Sequence, residues 1–102
     1  MSYALINRLT AKPGRRDEVV ANLLDSGRSF DDDDACLLYL VAEASEDVDA
    51  IWVVDLWTSE ERHAEALQDP SLRSVVAETI AMLEGPPEQI EVRPRGGKHP
   101  EG

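Results

Sequence analysis

Segments with the spacing of strands and segments with the spacing of helices follow one another along this chain, and their order constrains the fold more than any other feature. Residues 3–11 alternate in polarity, which is typical of a strand. Residues 15–28 repeat apolar side chains at helical spacing, with Gly27 placed where a glycine commonly ends a helix. Two further strands are predicted at 36–43 and 50–57, joined by a polar connection that suits a hairpin.

The second half of the chain begins with a helix signal and ends with a short strand. Thr58 or Ser59 can cap the helix by accepting a backbone N–H bond, and the acidic residues that follow suit its positive end. The helical spacing breaks near residues 69–71, resumes, and stops at Gly85-Pro86-Pro87, before a strand at 89–93. The complete order is β-α-β-β-α-β, the split βαβ arrangement.

This order predicts an α+β, ferredoxin-like fold, in which two helices lie on one face of a four-stranded antiparallel sheet. The chain of 102 residues is long enough for one domain, which we assign to residues 1–94. Residues 95–102, rich in glycine, proline and charge, are expected to form a disordered tail.

The hairpin strands carry apolar side chains on both faces. In the first of them, Leu37 and Tyr39 are assigned to one face, and Leu38 and Leu40 to the other. The strand at 50–57 repeats this pattern. Two helices cover only one face of the sheet, and soluble monomers seldom expose several large apolar side chains together. We therefore expect the second face to pack against a second copy of the chain, giving a homodimer.

Composition excludes some classes of partner. The net charge of −11, from 21 acidic and 10 basic residues, is unsuited to nucleic acid or to an anionic membrane surface. No apolar run reaches the ~20 residues that cross a bilayer, and no signal peptide is visible. The single cysteine, Cys36, fits a reducing cytoplasm and is interpreted as a small buried hydrophobe. The acidic run 31–34 is interpreted as a solvated loop, because it lacks the spacing of a calcium loop.

Three stretches together resemble the antibiotic-biosynthesis (quinol-type) monooxygenase family. Residues 6–14 read Ile-Asn-Arg-Leu-Thr-Ala-Lys-Pro-Gly, residues 53–61 end a strand in an acidic-x-Trp signature before a helix, and residues 83–87 read Leu-Glu-Gly-Pro-Pro. The resemblance covers about residues 3–94. It implies a dimer whose sheets meet as a β-barrel, a pocket between sheet and helices, and cofactor-independent oxidation of a small quinol or polyphenol by O₂. The superfamily also includes haem-degrading enzymes, isomerases and members without demonstrated activity.

Three residues on the predicted strands are candidates for the site. Asn7 lies between leucines on one strand face, and is either a donor to a substrate oxygen or a satisfied structural amide. The resemblance adds that haem-degrading relatives carry a functional asparagine at the matching position. Trp57 is either a stacking and N–H-donating residue or plain core. Asp55 either pairs with Arg8 or Arg73, which is the favoured interpretation, or has a raised pKa suited to a general base.

Two further residues complete the candidate site. His63 is the only histidine outside the predicted tail, and is either a base or, the favoured interpretation, a solvent-facing side chain. Many relatives have a histidine nearer Ala66 or Leu67, which cannot ligate iron, so haem binding is not expected. Tyr39 either lines the pocket or only packs. No cofactor or metal motif is present, which fits a cofactor-independent oxygenase and equally a non-catalytic binding module for small molecules.

Overall fold

The fold follows the predicted order, with the second helical segment divided in two. The computed structural model describes residues 2–98. Asp69 accepts a bond from the Ser71 N–H, and Pro70 occupies the first turn, so a new helix begins at the predicted break. The elements are β1 (Tyr3–Thr10), α1 (Arg16–Arg28), β2 (Cys36–Glu43), β3 (Ala50–Trp57), α2 (Glu60–Ala66), α3 (Pro70–Ala81) and β4 (Glu88–Val92).

The four strands form one antiparallel sheet in the order β2-β3-β1-β4, which confirms the α+β, ferredoxin-like fold. Residues 2–98 contain three helices where two were predicted. In the central pair, Leu5 lies opposite Asp55 and Asn7 lies opposite Val53. A register shift between Cys36 and Leu38 places Cys36 opposite the inward Trp57. Cys36 therefore takes the inward position that the alternation had assigned to Leu37.

The core consists of two clusters between the inner face of the sheet and the helices. The first joins α1 to the sheet around Val19, Ile51 and Val53. The second joins Trp57 to Leu72 and neighbouring loop residues. Along β3, Ile51 and Val53 thus belong to one cluster and Trp57 to the other. Position 55 falls between them, so the inner face has a gap in its apolar packing at this point.

The opposite face of the sheet is mostly apolar, with Arg8 and Glu88 paired near one end, and is uncovered by any other element of residues 2–98. Since paired residues share a face, β1, β3 and β4 place Ile6, Val54 and Ile90 together on this side. The exposed fraction reaches 50% for Leu40 and 55% for Ile90. The exposed apolar side chains of this face therefore lie together and are not scattered singly over the surface.

Two local predictions are resolved at helix ends. Ser59, and not Thr58, caps α2 by accepting from the Arg62 N–H. Gly27 does not end α1, because the helix continues through Arg28. A Cβ at Gly27 would lie 2.8 Å from two ring carbons of Tyr39, so glycine here allows the tyrosine to approach the helix.

Residues 93–98 contain no helix or strand. The remainder of the predicted tail, residues 99–102 with His99, lies outside the described residues. Within residues 2–98, no helix combines the length and apolar character needed to span a membrane.

Candidate functional site

A cavity of about 230 Å³ occupies the gap in the core, between the inner face of the sheet and the helices. Most of its wall is apolar, as in ordinary small-molecule sites. Leucine and valine side chains from β1, β3, α1 and α3 form that wall. The polar side chains that line it are Asn7, Ser26, Tyr39, Asp55, His63, Thr79 and Gln89.

Asp55 is a buried carboxylate with one strong hydrogen bond. The residue is 6% exposed, and its Oδ2 accepts a bond of 2.7 Å from the indole Nε1 of Trp57. Burial raises the pKa of Asp55 above its ordinary value, and the Trp57 bond and the nearby His63 partly oppose that rise. Oδ1 has no hydrogen-bond partner within residues 2–98, and Asp55 lines the cavity. One oxygen is thus held from behind while the other is available to a ligand.

The predicted pairing of Asp55 with an arginine is wrong. Arg8 pairs instead with Asp47, at 3.2 Å, and no arginine lies within 4.0 Å of Asp55 in the described part of the chain. The physical reason is the alternation of β1, because Arg8 follows Asn7 and therefore points to the opposite face of the sheet.

His63 faces inward, so the favoured prediction of a solvent-facing side chain is wrong. Its side chain is 15% exposed, and its Nε2 lies 3.8 Å from Asp55 Oδ2. The ring packs edge-on against Trp57 and lies near Tyr3, with centroid distances of 5.2 and 5.4 Å. The distance to Asp55 exceeds that of a direct hydrogen bond, and both groups border the same cavity. They can therefore act on one ligand atom.

Asn7 is held in place by a residue that the sequence analysis did not identify. Its Oδ1 accepts a bond of 2.9 Å from Nε2 of Gln89, which lies opposite it on β4. The Asn7 Nδ2 group has no hydrogen-bond partner within residues 2–98, so it remains free to donate to a ligand oxygen. Gln89 can be identified as the cross-strand amide partner of Asn7, but only when the register of β4 against β1 is known.

Trp57 lies behind the cavity wall. The residue is 0% exposed, its N–H is occupied by Asp55, and its ring packs edge-to-face on Phe30 at 5.0 Å. It therefore does not offer its ring face or its N–H to a ligand in this structure, and it positions Asp55 instead.

Tyr39 both lines the cavity and packs in the core. Its hydroxyl donates to the Leu23 carbonyl at 3.0 Å, and its ring meets Phe30 at 5.3 Å. Burial raises the pKa of Tyr39, so its hydroxyl keeps its proton. Ser26 and Thr79, two buried hydroxyl residues on α1 and α3, also reach the cavity and were missed because each lies on an otherwise apolar helix stripe.

The described residues provide little for a metal or haem. No group of three or more His, Cys, Asp or Glu side chains within residues 2–98 is arranged to hold a metal ion. Ala66 and Leu67 offer no ligand atom, and His63 directs Nε2 towards Asp55. Burial raises the pKa of the Cys36 thiol to about 11, which leaves it protonated at neutral pH.

Comparisons with known proteins agree with this architecture. The family model of the antibiotic biosynthesis monooxygenases matches residues 2–78. A candidate antibiotic biosynthesis monooxygenase from Chloroflexus aurantiacus J-10-fl is 34% identical, with a TM-score of 0.86 over 96% of this chain and 97% of that chain. Rv0793 from Mycobacterium tuberculosis is 18% identical, with a TM-score of 0.85 over 95% and 98% of the two chains.

A third structure is named as an oxygenase. SnoaB, a cofactor-independent oxygenase from Streptomyces nogalater, is 14% identical, with a TM-score of 0.82 over 94% of this chain and 95% of that chain. At such identity the likeness to SnoaB and Rv0793 concerns the fold alone. No curated protein matches the chain.

Proposed function

The chain belongs to the antibiotic biosynthesis monooxygenase family, and we propose that it is a cofactor-independent monooxygenase that oxidises a small phenol or quinol with O₂. The observation that carries this proposal is the carboxylate of Asp55, which is buried, has a raised pKa and borders an apolar cavity. A base with such a pKa is closer to the pH at which it must take up and return a proton. The amide of Asn7 supplies a hydrogen-bond donor on the same wall.

The first step is removal of the hydroxyl proton from the substrate. Asp55 accepts this proton through Oδ1, while the Trp57 N–H holds Oδ2. His63 borders the same space, with its Nε2 3.8 Å from Asp55 Oδ2. The Asn7 N–H donates to the phenolate oxygen that forms, which stabilises its charge.

The second step transfers oxygen without an external reductant. The phenolate passes one electron to O₂, which gives an aryloxyl radical and superoxide. These join in a carbon–oxygen bond at a ring carbon that bears hydrogen, and the peroxide takes up the proton held by Asp55. Loss of the ring hydrogen as a proton then breaks the O–O bond and expels hydroxide, and the two leave together as water. One atom of O₂ becomes a quinone carbonyl and the other becomes water.

Cavity size limits the substrate. The volume of about 230 Å³ lies below the range of roughly 300–1,000 Å³ that is usual for drug-sized ligands. It suits an aromatic molecule of one or two rings. The walls of the cavity, formed by the sheet and the helices, restrict the orientation of such a ring, and fixing that orientation is the main contribution that a protein without a cofactor makes to this reaction.

We further propose that the active form is a homodimer, joined through the outer face of the sheet. The exposed side chains of Leu40 and Ile90 support this, as does the apolar surface that connects them across β3 and β1. Burying this surface against a second copy is favourable at roughly 25 cal/mol per Å² of apolar area. The cavity lies on the other side of the sheet and stays open to substrate.

The test is oxygen consumption by the purified protein, without added metal or flavin, over a panel of one- and two-ring phenols and quinols. With ¹⁸O₂, the proposal requires one labelled atom in the quinone and the other in water. Asn7→Ala should lower turnover at least about tenfold, by analogy with the loss of one oxyanion donor. Asn22→Ala is the matched control, because that amide lies on α1 away from the cavity.

Other outcomes separate the alternatives. Saturable binding of the panel without oxygen uptake above autoxidation would favour a non-catalytic binding module. Formation of H₂O₂ with no label in the quinone would indicate a two-electron oxidase. Equal rates for Asn7→Ala and Asn22→Ala would remove Asn7 from the site.

A further inference from the structure

Each hydroxyl group that lines the cavity already donates its proton to a backbone carbonyl. A hydroxyl carries one proton and two lone pairs, so a hydroxyl that donates to the backbone can only accept from a ligand. All three cavity hydroxyls donate in this way, from Ser26 to the Asn22 carbonyl at 3.0 Å, from Thr79 to the Val75 carbonyl at 2.9 Å, and from Tyr39 to the Leu23 carbonyl at 3.0 Å.

These acceptors lie mainly on the helix side of the cavity. Ser26 on α1 is 5% exposed and Thr79 on α3 is 4% exposed, so bulk water does not readily replace a missing ligand bond there. The amide donors, Asn7 and Gln89, lie on β1 and β4 in the sheet. A ligand held between sheet and helices therefore meets N–H groups and the Asp55 carboxylate on the sheet side, whereas Ser26 and Thr79 on the helix side offer it only lone pairs.

We infer that this cavity selects the reduced, hydroxyl-bearing form of an aromatic ligand over its quinone and over its methyl ether. The inference rests on the proposed function, because it concerns the same site. A ligand hydroxyl on the helix side donates to Thr79 or Ser26, whereas a quinone carbonyl or an ether oxygen places lone pair against lone pair. A site built for a hydroxyl rejects the analogue that cannot reproduce the bond.

The experiment is calorimetric titration under strictly anaerobic conditions, where no turnover occurs. The three ligands are 1,4-dihydroxynaphthalene, 1,4-naphthoquinone and 1,4-dimethoxynaphthalene, which share one ring system. The dihydroxy compound should bind about tenfold more tightly than either of the others, the ratio that corresponds to ~1.4 kcal/mol. Thr79→Val keeps the shape of the side chain but removes the acceptor, and should reduce this ratio at least about threefold. Thr79→Ser keeps the hydroxyl and should preserve it.

Ser26→Ala is measured alongside, because either hydroxyl on the helix side can receive the ligand proton. Equal affinity of the wild-type protein for all three ligands would overturn this inference while leaving the oxygenase proposal to its own test. An unchanged ratio in Thr79→Val, in Ser26→Ala and in the double variant would also overturn it. Failure of all three ligands to bind, together with absence of oxygen uptake, would remove both the inference and the proposed function.

Discussion

Replacing Trp57 by phenylalanine removes the hydrogen bond to Asp55 but keeps an aromatic ring in the core. The indole is fully buried, and its N–H donates to Asp55 Oδ2 at 2.7 Å. Loss of a hydrogen bond to a charged group typically removes about 1.5–3 kcal/mol, so this bond contributes roughly 2 kcal/mol. The space left by the smaller ring adds roughly 1 kcal/mol. We therefore expect Trp57→Phe to lower the free energy of unfolding by about 3 kcal/mol, which is tolerable for a domain with a typical ~5–15 kcal/mol.

The same change should alter the pH dependence. The Trp57 bond lowers the pKa of Asp55 and burial raises it, so removing the bond lets burial raise that pKa further. Turnover needs the carboxylate form of Asp55, and the acid limb of the pH–rate profile should move to higher pH. The destabilisation should also grow as pH rises above the raised pKa of Asp55 in the folded wild-type protein, because only the ionised group loses its charge-assisted bond. The measurements are kcat/KM against pH, and urea unfolding at two pH values.

Trp52→Phe is the matched control. Trp52 lies on the outer face of the sheet, is 36% exposed and makes no hydrogen bond through its side chain within residues 2–98. Trp52 lies on the face proposed to join two subunits, and the Arg8 guanidinium lies 5.9 Å from its ring centroid, so this variant loses some stability as well. No carboxylate bonds to Trp52 within residues 2–98, so we expect that loss to be the same at both pH values and the acid limb to stay in place. If the two variants show the same dependence of stability on pH, or if the acid limb of Trp57→Phe does not move, Trp57 does not support Asp55.

Three further predictions follow from single contacts. Asp55→Asn should abolish turnover. The raised pKa of Asp55 makes the stability of the wild-type protein fall as pH rises above about 3.9. The thermal unfolding temperature of this variant should not show that fall, and an unchanged fall would contradict the assignment. Gly27→Ala should destabilise by roughly 1–3 kcal/mol in urea, since its Cβ would lie 2.8 Å from the Tyr39 ring, whereas Gly85→Ala meets open space and should not destabilise. Leu40→Glu should convert the proposed dimer into a folded monomer in sedimentation velocity, and a wild-type chain that is already monomeric would refute the interface.

The strands could be predicted because their constraint is local. Alternation fixes which residues share a face, and the bounds 36–43 and 50–57 agree with β2 and β3. The helices were harder. A break at 69–71 was visible, but its division of one segment into α2 and α3 depends on the cap at Asp69. Gly27 was interpreted as a helix end, but the structure shows that a side chain there would clash with Tyr39 on β2. A contact between two elements cannot be predicted from a local sequence pattern.

In the candidate site, too, the residues marked by a local sequence pattern could be predicted, and those that depend on tertiary contacts could not. Asn7 and Asp55 could be singled out because a polar residue on an apolar strand face is conspicuous in the sequence. The orientation of His63 could not, since α2 has seven residues and buries none of them fully, so no apolar stripe indicates its inward side. Gln89 became recognisable only through the register that sets it opposite Asn7.

The position of Asp55 explains why a cavity exists at all. An apolar side chain at this position of β3 would continue the packing from Val53 to Trp57 and join the two core clusters into one. A buried carboxylate there opposes stability, because burial disfavours its charged form. The Trp57 N–H reduces that penalty by donating to Asp55 Oδ2, and the Gln89 amide fixes Asn7 by donating to its Oδ1. Asp55 and Asn7 are thus each fixed by one partner, and each keeps its other polar atom for the cavity. A ligand site needs this arrangement, whereas a core selected only for stability would have filled the cavity with apolar side chains.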